Sequence, residues 1–147
     1  MVFYIQKKVI TFLKSQNNKL SLALLAEDNC SELSRLAGYW LLEEFPLIKI
    51  RVLKGDNIMN EKNKSHELLA ISEKEKIYIV DVTVWQYFKK KKSILIKETD
   101  NLAGAIDYLK EKYGGEWIVN DDITKKSRKY IKKWENIIKT NINVPKA

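Results

Sequence analysis

The sequence predicts an α+β fold. Helical apolar spacing occupies both ends of the chain, and a run of short β-rich segments punctuated by turn residues lies between them. With 147 residues and 45% apolar content, the chain suffices for one core and is too short for two full domains.

In order, Val2, Phe3, Ile5, Val9, Ile10, Phe12 and Leu13 recur at helical spacing, and Asn17-Asn18 closes the segment. A second apolar stretch, 20–26, leads into the polar corner Glu27-Asp28-Asn29. Beyond it Leu33, Leu36, Ala37, Trp40 and Leu41 trace one face of a helix that opens at Cys30 and that Pro46 stops. Ile48, Ile50 and Val52 alternate with Lys49 and Arg51 as in a half-buried strand, and Gly55 opens a polar loop reaching about Lys64. Residues 66–71 and 77–85 read as the arms of an antiparallel hairpin about the charged turn 72–76. After a lysine run at 89–92, a short strand is expected at 94–96 and a helix over 102–113, ended by Gly114-Gly115. A lysine-rich helix over 124–141 follows, with Tyr130, Ile131, Trp134, Ile137 and Ile138 on one face. No repeat or low-complexity linker interrupts this order. The expected organisation is a single catalytic domain over 1–147, with its core at about 28–97 and a basic amphipathic C-terminal helix at about 124–141.

Residue scarcity narrows the chemistry. One cysteine makes no internal disulfide, CxxC pair or cysteine-built zinc site, and one histidine excludes two-histidine zinc sites and histidine relays. No metal and no cofactor are expected. The net charge of +8 fits nucleic acid, an acidic partner or a plain lysine bias. Gln6, Lys7, Lys8 and Lys14 break the apolar run of a signal peptide, and no stretch has the length of a membrane span. The chain is therefore expected to be cytoplasmic as synthesised, with delivery by a secretion system compatible with the lack of a cleavable leader.

The chemistry centres on Cys30, His66 and Asp81. Asn29 with Glu32 three positions on has the form of a capping box, which sets Cys30 in the first turn of its helix. The positive end of a helix favours a thiolate, and its free N–H groups can face an oxyanion. In a hairpin centred between Glu73 and Lys74, cross-strand partners have numbers summing to 147, so His66 and Asp81 face each other directly. A carboxylate opposite an imidazole fixes its tautomer and supports the imidazolium. Asp81 also falls in the row of Ile77, Ile79 and Thr83, where an acid needs a partner. The plainer readings are a small core cysteine, a structural histidine and a strand-ending aspartate.

Other candidates near a cleft are Asn29, Gln16, Trp85 and Gln86. An oxyanion side chain is expected from the segment before Cys30, among Gln16, Asn17, Asn18, Asp28 and Asn29. Trp85 lines either the cleft or the core. Lys125, Lys126, Arg128, Lys129, Lys132 and Lys133 make an anion-binding surface on the last helix. Nucleic acid is the weaker partner there, because the aromatics share one face as in a helix docked on a core. Steering of an acidic protein substrate is the alternative.

The segments NCSELSRLAGYWLLEEFP, IKIRVLKG, SHELLAI and KIYIVDVTVWQY resemble the transglutaminase-like core of the papain-like cysteine enzymes, over roughly 28–87. In that superfamily the cysteine opens a core helix, the histidine begins one strand and the aspartate lies on the next. The order and gaps of Cys30, His66 and Asp81 agree. The chain departs from it in having Leu68 where many members have a tryptophan two residues after the histidine, and in lacking a tryptophan beside the cysteine. The resemblance implies a helix-start cysteine packed on a small antiparallel sheet, and thiol-dependent amide hydrolysis or acyl transfer through an acyl-thioenzyme. Members include transglutaminases, peptidases and protein-glutamine deamidases, among them compact bacterial toxin and effector domains. The small size leans toward deamidation of a protein glutamine. The alternatives are a cysteine peptidase or transglutaminase and, in another class, a non-catalytic binding module with a basic surface.

Overall fold

The computed structural model describes residues 1–17 and 19–143, so Asn18 of the expected first helix stop lies outside the described residues. Among the described residues the chain is α+β, with five α-helices and a five-stranded antiparallel sheet. The helices are α1 (Val2–Gln16), α2 (Leu22–Ala26), α3 (Cys30–Glu44), α4 (Leu102–Tyr113) and α5 (Arg128–Asn143). The strands are β1 (Lys49–Asp56), β2 (Ser65–Glu73), β3 (Lys76–Asp81), β4 (Leu95–Thr99) and β5 (Glu116–Ile123), in the order β4-β3-β2-β1-β5. No helix of the described residues is long and apolar enough to cross a membrane.

The apolar periodicity acts as expected in α1, where Ile5, Val9 and Leu13 are buried at intervals of one turn, while Phe3 points outward. Helix α3 is buried along most of its length, from Leu33 to Leu42, because it lies under α1 and α5 as well as against the sheet. Tyr39 meets Tyr130 and Trp134 edge-on, and Trp40 donates to Glu135 at 3.1 Å, which fastens α5 to α3. Of the apolar residues expected on one face of α5, Ile131 and Ile138 are buried and Trp134 is half-buried. Tyr130 and Ile137 lie on the exposed flank.

The two faces of the sheet serve different helices. Ile123, Ile50 and Ile71 are cross-strand neighbours, and Ile123 packs on Gly38 of α3. Alternation then puts Glu67 on that face as well, where it pairs with Arg35 of α3 at 2.7 Å. His66, Leu68 and Ala70 belong to the opposite face, where the imidazole meets Tyr113 of α4.

Several boundaries differ from expectation for identifiable reasons. The hairpin turns on Lys74-Glu75, both at positive φ, so paired residues sum to 149 instead of 147. β3 ends at Asp81 instead of continuing to 85, because Asp81 Oδ1 accepts from Thr83 N at 3.0 Å and folds the chain into a turn. A 3-10 turn, Val84–Gln86, follows. Gly55 is not a loop opener but a buried member of β1, opposite both His66 and Trp117. A Cβ on Gly55 would stand 2.5 Å from the Trp117 ring. β5 has no counterpart in the sequence reading: only Trp117 and Ile123 are buried in it, and a bulge at Asn120 breaks its alternation. α5 begins at Arg128, four residues after the expected start.

Candidate active site

Cys30 is the first residue of α3 and is half-buried. Asn29 holds the N-cap position, but its side chain does not cap. Instead Nδ2 donates to the carbonyls of Glu27 at 3.0 Å and Leu25 at 3.4 Å, and Oδ1 accepts from Asn141 of α5 at 3.5 Å. The expected capping box is therefore replaced by a buried amide that ties α2, α3 and α5 together just before Cys30. The first-turn N–H groups of α3 have no intrahelical carbonyl to bond, so the positive end of the helix lies at the thiol.

His66 and Asp81 do meet, by a different route from the one expected. With partners summing to 149, the position opposite His66 is Thr83, and Asp81 stands one diagonal step away. A slip of two residues keeps both side chains on one face, and diagonal neighbours lie within reach of a long side chain. His66 Nε2 and Asp81 Oδ2 are 2.8 Å apart, with both side chains fully buried. Beyond Leu69, β2 has no partner in β3, and in this opening at the sheet's end the Cys30 side chain comes within interaction range of His66. Helix α3 and the imidazole belong to opposite layers, so only the sheet's end lets them meet.

The electrostatics favour charge separation. Burial pushes the His66 imidazole down, but the charge and hydrogen bond of Asp81, together with Cys30, outweigh it and push its pKa up to about 10. Burial likewise opposes the Asp81 carboxylate. His66, the Tyr113 hydroxyl and Thr83 N outweigh that and hold it below the usual carboxylate range. The two shifts agree on one state, imidazolium against carboxylate. With Nε2 committed to Asp81, His66 Nδ1 is buried and, among the described residues, has no partner in hydrogen-bond geometry. It is the nitrogen left for Cys30, and hydrogen bonds at such sites commonly tighten only when substrate binds.

Two tyrosines that sequence reasoning missed complete the surroundings. Tyr87 meets the imidazole edge-on at 4.9 Å between centroids. Its own pKa is pushed up to about 12, first by burial and then by Cys30 and Asp81. Tyr113, the last residue of α4, lies against the ring at 5.5 Å and donates its hydroxyl to Asp81 Oδ2. The only signal in the sequence is a tyrosine just before Gly114-Gly115 on the apolar face of its helix, which is equally the signature of an ordinary core residue.

The remaining candidates separate. Trp85 is buried, donates to the Lys91 carbonyl at 2.8 Å, and forms part of the wall of a cleft of about 470 Å³ whose lining includes Tyr87 but none of Cys30, His66 and Asp81. Gln86 lines the same cleft with Asp28, Tyr87 and Lys64, and its Nε2 donates to the Ala26 carbonyl at 3.0 Å. That bond uses one of the two N–H groups of Nε2. Gln16 turns back on its own helix, bonding Phe12 O and Ser15 Oγ. Asn17 accepts from Lys19 N, and Asn18 lies outside the described residues. A larger groove of about 780 Å³ follows α5, walled by Tyr130, Lys133 and Ile137 among others, and includes none of Cys30, His66 and Asp81. Among the described residues no group of three or more His, Cys, Asp or Glu is arranged to hold a metal ion.

Comparison with family models, with curated proteins and with solved structures finds no match to this chain.

Proposed function

We propose that this chain is a thiol-dependent acyl-transfer enzyme with a papain-like or transglutaminase-like core, in which Cys30 is the nucleophile, His66 carries the proton and Asp81 orients His66. The observation that carries this reading is the fully buried 2.8 Å contact of His66 Nε2 with Asp81, which leaves the unpartnered Nδ1 to a cysteine at a helix start. Most buried side-chain polar atoms are hydrogen-bonded, so an unpartnered Nδ1 calls for an explanation that a nearby thiol supplies. The chain order also supports it: Cys30 opens α3, His66 is second in β2 and Asp81 is last in β3.

Because His66 holds its proton well into the alkaline range, the resting site is an imidazolium beside the cysteine sulfur. With the thiol proton already on His66, the Cys30 thiolate attacks the carboxamide carbon, and the first-turn N–H groups of α3 face the resulting oxyanion. His66 Nδ1–H protonates the departing nitrogen, ammonia leaves and a thioester remains. His66 then takes a proton from water as its oxygen attacks the thioester carbon, and the acid is released with Cys30 restored. For a glutamine side chain the product is glutamate. Protein glutamine is the first substrate to test, with a peptide bond or a lysine acceptor as the alternative outcomes.

Iodoacetamide tests the nucleophile directly. Cys30 is expected to react at pH 6–7 in the folded chain, and His66→Ala to slow that reaction by about tenfold or more. A thiol inert until denaturation would refute the reading. A substrate protein then gains about one dalton on deamidation and is cut on proteolysis. The competing class, a basic binding module, would show salt-sensitive retention on nucleic acid that survives Cys30→Ala.

A further inference from the structure

We propose that Tyr113 is a positioning residue of this site, whose buried hydroxyl clamps the Asp81 carboxylate in the orientation that presents Oδ2 to His66. The inference rests on the function proposed above and adds a residue to it.

Asp81 is fully buried and, among the described residues, accepts four hydrogen bonds. Oδ1 takes Thr83 N at 3.0 Å and Thr83 Oγ1 at 3.4 Å, while Oδ2 takes His66 Nε2 at 2.8 Å and the Tyr113 hydroxyl. Without Tyr113, the oxygen facing the imidazole would have His66 as its sole donor. A buried carboxylate with too few donors either turns toward others or takes up a proton, and either change removes the counter-charge of the imidazolium.

Packing sets the hydroxyl in place before any substrate arrives. Phe88 meets the Tyr113 ring at 5.3 Å, Trp117 at 5.5 Å and His66 at 5.5 Å. The chain leaves α4 immediately afterwards through Gly114 and Gly115, both at positive φ, and Trp117 Nε1 donates back to Gly114 O at 3.0 Å. The ring contacts would be served as well by phenylalanine. Among the described residues the hydroxyl has one hydrogen-bond partner, Asp81.

The titratable groups facing Asp81 are His66 from β2, Tyr113 from α4, and Tyr87 from the segment after β3, with Cys30 of α3 acting through His66. Removing the Tyr113 donor leaves the other three and weakens support for the imidazolium. Reactivity that depends on this charge pair should then require a higher pH. A merely structural tyrosine would scale the whole pH profile or leave it alone.

The test is the pH profile of Cys30 alkylation in the full-length chain. Tyr113→Phe is expected to lower the rate at pH 6 by about tenfold and to move the acid limb to higher pH, with a smaller change at pH 8. If that variant does not fold, 3-fluorotyrosine placed at position 113 decides, because it keeps the ring and hydroxyl but is a stronger donor. Its acid limb is expected at lower pH. An unshifted limb in the folded Tyr113→Phe variant, or in the fluorotyrosine protein, would overturn the role of Tyr113 alone. A native chain with an inert Cys30 would overturn the proposed function and this role together.

Discussion

His66 and Asp81 stand one diagonal step apart across β2 and β3, and their 2.8 Å contact is sealed from solvent on every side. Breaking a buried ion pair by removing one partner typically costs about 3–5 kcal/mol, because the survivor is left charged and dry. Asp81→Asn is therefore expected to destabilise the fold by an amount of that order, and to slow Cys30 alkylation in whatever fraction stays folded. Urea denaturation at pH 7, followed by fluorescence of the four tryptophans, measures it. A loss below about 1 kcal/mol would mean that the pair is not ionised.

Stability should depend on pH through the same pair. His66 is raised from 6.5 to about 10 in the folded chain, so its contribution is fully present below pH 6.5 and is lost as pH rises toward 10. Asp81 is lowered from 3.8, so its contribution is present above that value and is lost on acidification. The pair thus contributes most between about pH 4 and 6.5. Denaturation curves at pH 5, 7 and 9.5 should show a decline toward alkali that Asp81→Asn flattens.

Gly55 is confined by Trp117 across the β1–β5 ladder. Gly55→Ala brings a methyl group to 2.5 Å from the indole, an overpacking expected to cost about 1–3 kcal/mol. Gly55 also lies opposite His66, so the substitution should slow alkylation as well as lower the melting temperature. Trp117→Leu in the same chain should recover part of the loss, a coupling that a double-mutant cycle would expose.

The β2–β3 turn offers a stabilising change away from the site. Lys74 and Glu75 adopt φ of 49° and 67°, the left-handed pair that Asn-Gly provides without strain. Replacing them with Asn and Gly is expected to add about 0.5–1 kcal/mol and to leave the alkylation rate unchanged. Differential scanning calorimetry should show a rise of about 2–4 °C.

Local patterns made much of this fold readable from residue order. Helix α4 matched its expected bounds, and α3 opens at Cys30, because apolar spacing, glycines and a proline act over a few residues and need no distant partner. Even the misplaced hairpin centre left His66 and Asp81 on one face. A two-residue error preserves the alternation that burial enforces, whereas a one-residue error would have separated them. β5 was not readable in this way, since an edge strand with two buried residues and a bulge carries no period.

By itself, then, the sequence determined the class of fold, the helix-start cysteine and the pairing of the lone histidine with an aspartate, all set by short-range periodicity and steric preference. Tertiary structure alone decided which layer each group occupies and that α3 reaches the imidazole past the end of β3. It alone decided that Asn29 braces three helices instead of capping one, and that Tyr113, 32 residues from Asp81, reaches its carboxylate. Those contacts depend on how helices stack on a twisted sheet, a long-range packing outcome that no local spacing encodes.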